Sequence, residues 1–70
     1  MTAEQTIEIL KNRAKRYQQG AEQAGDVGRY YEAHKYMIEA VALEDAIREI
    51  QRALFVERYK EQKAKEAENG

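Results

Sequence analysis

The sequence predicts an all-α fold in which a short helix and a long helix form an antiparallel hairpin. Two observations lead to this prediction. The 70-residue chain contains no proline and only four glycines, so it offers few places where a helix must stop. Apolar and small residues also recur at alternating steps of three and four along two stretches, which is the spacing of one helix face. We therefore expect two long helices joined by one turn.

The first helix is expected to begin directly after Thr2 and to cover about residues 3–24. Thr2 and Gln5 match a capping box, in which each side chain accepts a hydrogen bond from the other residue's backbone amide. The apolar seam of this helix consists of Ala3, Ile7, Leu10, Ala14, Tyr17, Ala21 and Ala24. Because the seam continues past Gly20, we interpret this residue as a glycine inside the helix.

A turn over residues 25–28 is expected to separate the two helices. Gly25 suits the position just past a helix end, and Asp26 suits the cap of the next helix. The second helix then runs over about residues 29–66 and ends in a fraying, charged segment. Its seam consists of Ala33, Tyr36, Ala40, Leu43, Ile47, Ile50 and Leu54. The whole chain is thus predicted to be a single domain.

The two seams are consistent with one hairpin register. In an antiparallel pair, the residue numbers of facing partners have a nearly constant sum. Pairing Ala14 with Ala40 and Ile7 with Ile47 meets this condition, and it places Tyr17 opposite Tyr36. In this register the first helix ends level with Ile50, so the second helix has no partner within the chain from Leu54 onwards.

A second set of apolar residues on the second helix indicates an additional neighbour. We call this set the outer stripe: Tyr31, His34, Met37, Ile38, Val41, Phe55, Val56 and Tyr59. A helix that is apolar on two sides needs a neighbour on each side. A single seam also has to offset about 1–2 kcal/mol of backbone entropy per residue. We therefore predict a homodimer in which two hairpins form a four-helix bundle through the outer stripe.

The composition argues against an enzyme and against a metal or cofactor site. The chain has no cysteine or serine, which are common covalent nucleophiles, and it has only one histidine. The Glu-x-x-His spacing of metal-binding bundles is absent, because position 31 is a tyrosine. No glycine-rich phosphate loop is present. We therefore expect a non-enzymatic protein that acts through protein–protein contact.

Two other function classes stay open. A small-ligand or nucleotide-sequestering protein could use a pocket near the turn, formed by Tyr17, Tyr30, Tyr36 and Arg29, with Arg16 nearby for an anion. A nucleic-acid role ranks third, because the net charge is −1 and the basic residues of the first helix spread around its polar face. These basic residues are Lys11, Arg13, Lys15 and Arg16. We interpret them as complementing acidic residues of the second helix, namely Glu39, Glu44, Asp45 and Glu49.

The segments Glu4–Lys11 and Glu39–Ile47, with the tyrosine-rich middle, resemble the small helical open reading frames of bacteriophages and prophages of Gram-positive bacteria. The resemblance covers about residues 3–54, and the long charged tail departs from it. It implies a phage origin. By analogy, it also implies contact with a host or phage protein or sequestration of a nucleotide. We expect a location in the cytoplasm, that of the host if the protein is phage-encoded, because no stretch has the length and hydropathy of a membrane span.

Overall fold

The computed structural model describes residues 1–69 and consists of two helices, α1 (Ala3–Asp26) and α2 (Tyr30–Asn69). The helices pack against each other as a hairpin with dimensions of 63 × 19 × 13 Å. A 40-residue helix spans about 60 Å, so α2 sets the length of the molecule. The predicted all-α hairpin with a short first helix and a long second helix is confirmed. The smallest dimension, 13 Å, shows that the molecule is one helix layer thick.

The start of α1 confirms the predicted capping box. The backbone N–H of Gln5 donates to the Thr2 hydroxyl oxygen at 3.1 Å, and the backbone N–H of Thr2 donates to Oε1 of Gln5 at 2.8 Å. These bonds satisfy amides that have no acceptor inside the helix. The first helical residue is therefore fixed by local sequence and does not depend on packing.

The turn differs from the prediction. α1 continues through Gly25 and ends at Asp26, so Asp26 does not cap the second helix. Gly28 instead adopts the left-handed backbone conformation, with φ of 78°. The N–H of Gly28 donates to the carbonyl of Gly25, and the N–H of Arg29 donates to the carbonyl of Ala24. This is the hydrogen-bond pattern of a Schellman motif, which satisfies two terminal carbonyls of α1 and moves the turn to residues 27–29.

The core of the hairpin consists entirely of seam residues. Among the residues that the structure describes, six hydrophobic residues are buried, and each belongs to one of the two predicted seams: Ile7, Ala14, Ala21, Ala24, Ala40 and Ile47. Tyr17 and Tyr36 also meet across the hairpin, with ring centroids 6.1 Å apart. Four of the six buried residues are alanines. The helices therefore approach closely but bury little apolar volume.

The end of α2 extends beyond α1, although the coverage reaches slightly further than the sequence register suggests. Leu54, which was expected to be uncovered, is half-buried. Arg58 reaches back to α1, where its Nη2 lies 3.3 Å from Oε1 of Glu4. Beyond this exposed ion pair, the described residues of α2 have no helix beside them.

Candidate functional site

The outer stripe lies on the side of α2 that faces away from α1. Tyr31, His34, Ile38 and Val41 follow one another at steps of three and four, so they share one face of the helix. Tyr31 is 82% exposed and Val41 is 50% exposed. The remaining members are exposed as well: His34, Met37, Ile38, Phe55, Val56 and Tyr59. All eight predicted interface residues are therefore exposed to solvent in a single copy of the chain.

Three charged residues divide the outer stripe into two apolar segments. Asp45, Arg48 and Arg52 continue the steps of three and four that lead from Val41 to Phe55. Nη1 of Arg48 lies 3.4 Å from Oδ1 of Asp45, and both side chains are largely exposed. We call these three residues the charged middle. Sequence reasoning overlooked the charged middle as part of the stripe, although the same periodicity predicts it.

A groove beside the turn forms a second candidate site. This turn groove has a volume of about 680 Å³. It is lined by Arg13, Arg16, Tyr17, Gly20, Gln23, Ala24, Val27, Arg29, Glu32 and Tyr36. Three of the four residues predicted for a pocket, Tyr17, Tyr36 and Arg29, line the groove. The fourth, Tyr30, is 74% exposed at the start of α2 and is not among the lining residues.

Gly20 lies directly beside the Tyr36 ring in the turn groove. The rings of Tyr17 and Tyr36 are tilted by 39° against each other. A Cβ atom placed on Gly20 would lie 3.4 Å from the ring of Tyr36, which is ordinary van der Waals contact, so this side of the ring packs against α1. Gly20 is an internal helix glycine, as predicted.

Arg13 was missed as a site residue, whereas Arg16 and Arg29 were expected beside the pocket. Arg13, Arg16, Gly20, Gln23 and Val27 follow one another at helical steps of three and four, so they share a face of α1. This spacing could have revealed that Arg13 belongs to the groove. Arg13 was interpreted instead as complementing acidic residues of α2.

The expected ion pairs between the basic residues of α1 and the acidic residues of α2 do not form. Within residues 1–69, no salt bridge involves Lys11, Arg13, Lys15 or Arg16. Glu44 accepts a hydrogen bond from Gln18, and Asp45 pairs with Arg48 on its own helix. Arg29 lies 3.7 Å from Glu32, also on exposed side chains. The basic side chains of α1 therefore face solvent, and two of them face the turn groove.

Comparison with known proteins gives no relative: no protein family, curated protein or solved structure matches the chain. Neither helix, over the part of the chain that the structure describes, is apolar enough along its length to cross a membrane. Among the same residues, no group of three or more histidine or acidic side chains is placed to hold a metal ion.

Proposed function

We propose that this protein acts through protein–protein contact and that its first partner is a second copy of itself. The observation that supports this proposal is the exposure of the outer stripe. Contiguous exposed apolar patches on small proteins mark interaction surfaces. Tyrosine, phenylalanine, methionine and arginine, which are enriched at the cores of interfaces, make up more than half of the stripe and its charged middle.

The surface area of the hairpin supports a partner of similar size. The chain exposes 5967 Å², whereas a compact protein of this mass exposes about 4,500 Å². The excess for one chain is larger than the roughly 800 Å² that each partner buries in a standard interface. The radius of gyration is 18.0 Å, against about 11 Å for a compact domain of this length. A second hairpin laid against α2 would reduce both differences.

The pattern of charges along the stripe favours an antiparallel arrangement of the two α2 helices. A parallel arrangement would place Asp45 against Asp45 and Arg48 against Arg48, which is unfavourable. An antiparallel arrangement with its twofold axis near Arg48 brings Asp45 of one copy towards Arg52 of the other. It also brings Ile38 and Val41 level with Tyr59 and Val56 of the partner. The segment of α2 that extends beyond α1 then packs against the other hairpin.

Single cysteines test this orientation, because the chain has no cysteine of its own. Arg48→Cys lies near the proposed twofold axis, so we expect it to form a disulfide-linked dimer under mild oxidation. Ile38→Cys is the matched control on the same stripe. In the antiparallel dimer, two copies of residue 38 lie about 30 Å apart along the helix, far outside disulfide range. Equal cross-linking at both positions would contradict the antiparallel arrangement.

A charge in the outer stripe tests the interface itself. Val41→Asp removes apolar contact and introduces a carboxylate into the proposed interface, so we expect a monomer in sedimentation velocity at micromolar concentration. Gln19→Asp is the control, because it makes the same change in charge at an exposed position of α1. We expect this variant to remain a dimer. If both variants sediment like the unaltered chain, the stripe is not the interface.

We further propose a non-enzymatic role in the cytoplasm, with phage origin following from the sequence resemblance. A host or phage protein that displaces one hairpin would bind the same outer stripe. Competition is testable, because such a partner would dissociate the homodimer and would not bind the Val41→Asp variant.

A further inference from the structure

We propose that the turn groove is a binding site for a nucleotide, recognised by arginines for its phosphate and by tyrosines for its base. The groove lies beside the turn, and none of its lining residues belongs to the outer stripe. This inference therefore rests on observations that are independent of the proposed homodimer.

The charge of the groove favours an anion. Arg13, Arg16 and Arg29 line it together with a single acidic residue, Glu32. The groove is thus positive in a chain whose net charge is −1. Arg29 lies 3.7 Å from Glu32, whereas Arg13 and Arg16 have no salt-bridge partner within residues 1–69. Planar guanidinium groups bind phosphate oxygens through paired hydrogen bonds, so these two side chains suit a phosphate.

The aromatic side chains favour a ligand with a flat ring. Tyr17 is half-buried, and 36% of Tyr36 is exposed, so both rings are held in the seam while part of their surface reaches solvent. Gly20 packs against one side of the Tyr36 ring, so a base would meet the exposed part of the ring. Nucleobases stack on aromatic side chains of this kind with little dependence on base identity. Gln23, which also lines the groove, adds a hydrogen-bond donor and an acceptor.

The size of the groove distinguishes a nucleotide from a smaller anion. A volume of about 680 Å³ falls within the roughly 300–1,000 Å³ of small-molecule sites. Inorganic phosphate would occupy only a small part of this space and would leave the tyrosines without contact. A nucleotide, in contrast, can place its phosphate near Arg13 and Arg16 and its base near Tyr36.

Titration of the full chain with adenosine 5′-monophosphate, followed by NMR, tests the site. We expect shifts of the backbone amides at Tyr17, Gly20 and Tyr36, with weaker binding of adenosine and of inorganic phosphate under the same conditions. Arg16→Gln should weaken the affinity for the nucleotide about tenfold, as expected for the loss of hydrogen bonds to a charged group. Lys15→Gln is the matched control, because it removes the same charge from the neighbouring position, outside the groove.

Several outcomes would overturn the inference. Equal losses of affinity in Arg16→Gln and Lys15→Gln would show only unspecific attraction between charges. If inorganic phosphate bound as tightly as the nucleotide, the tyrosines would make no contribution to the affinity. Tighter binding of a single-stranded oligonucleotide than of the mononucleotide would indicate a nucleic-acid surface. The Val41→Asp variant should bind the nucleotide as the unaltered chain does. Loss of dimerisation and loss of nucleotide binding can therefore be distinguished.

Discussion

The two apolar faces of α2 differ in exposure. On the seam that meets α1, Ala40 is 1% exposed and Ile47 is 7% exposed. The outer stripe contains tyrosine, phenylalanine and isoleucine, and Phe55 remains 71% exposed. Burial of large apolar side chains provides most of the free energy of packing. The hairpin therefore buries one apolar face of α2 and leaves the other in solvent.

A charge introduced at the seam is predicted to reduce the helical content of the chain more than any other change proposed below. Ala40→Asp places a carboxylate where α1 excludes water, so we expect loss of most of the helical signal in circular dichroism. Ala42→Asp introduces the same residue two positions away on an exposed part of α2, and we expect it to keep its helical content. A folded Ala40→Asp variant with the thermal stability of Ala42→Asp would show that the seam does not hold the hairpin together.

Removal of the extended end of α2 is predicted to affect association more than helix content. A chain that ends after Leu54 retains the seam but loses Phe55, Val56 and Tyr59, which we expect to contact the partner in the proposed antiparallel dimer. We expect a helical monomer of reduced thermal stability at micromolar concentration. A chain that ends after Gln62 retains these residues and should remain dimeric. A dimer of undiminished affinity in the shorter chain would contradict the role given to this segment.

The two glycines near the turn should respond in opposite directions to substitution by alanine. Gly28 has φ of 78°, where a Cβ atom costs about 1–2 kcal/mol. Gly25 lies within α1 with no atom near the position of a Cβ, so Gly25→Ala should gain about 0.5–1 kcal/mol. Thermal unfolding measures both changes, at roughly 4–8 °C per kcal/mol for a domain of this size. If Gly25→Ala lowered the stability and Gly28→Ala raised it, Gly25 would be the residue that ends α1, as the sequence suggested.

The seams and the first cap were predictable because each follows from a local rule. Helical periodicity determines which side chains share a face, and Thr2 needs only Gln5 to form its capping box. The turn was mispredicted because two glycines stand three residues apart and each suits a helix end. The choice of Gly28 depends on which carbonyls the turn satisfies, and this is a property of the folded backbone.

The turn groove was only partly predictable for a different reason. Periodicity alone places Arg13 and Arg16 on a polar face, but it does not show whether α2 offers them acidic partners. In the structure, Glu44 and Asp45 are engaged elsewhere. The grouping of Tyr17, Tyr36 and Arg29 was predictable because the hairpin register brings them to the same end. Tyr30 was included because it is near in sequence, and its exposure at the start of α2 keeps it outside the groove.

Sedimentation equilibrium of the unaltered full chain at micromolar concentration tests the central claim most directly. The exposed outer stripe of α2 predicts a helical species with twice the chain mass of 8.1 kDa, dissociating to monomer only on dilution. A fully helical, thermally stable species of 8.1 kDa across the same concentrations would contradict self-association through this surface.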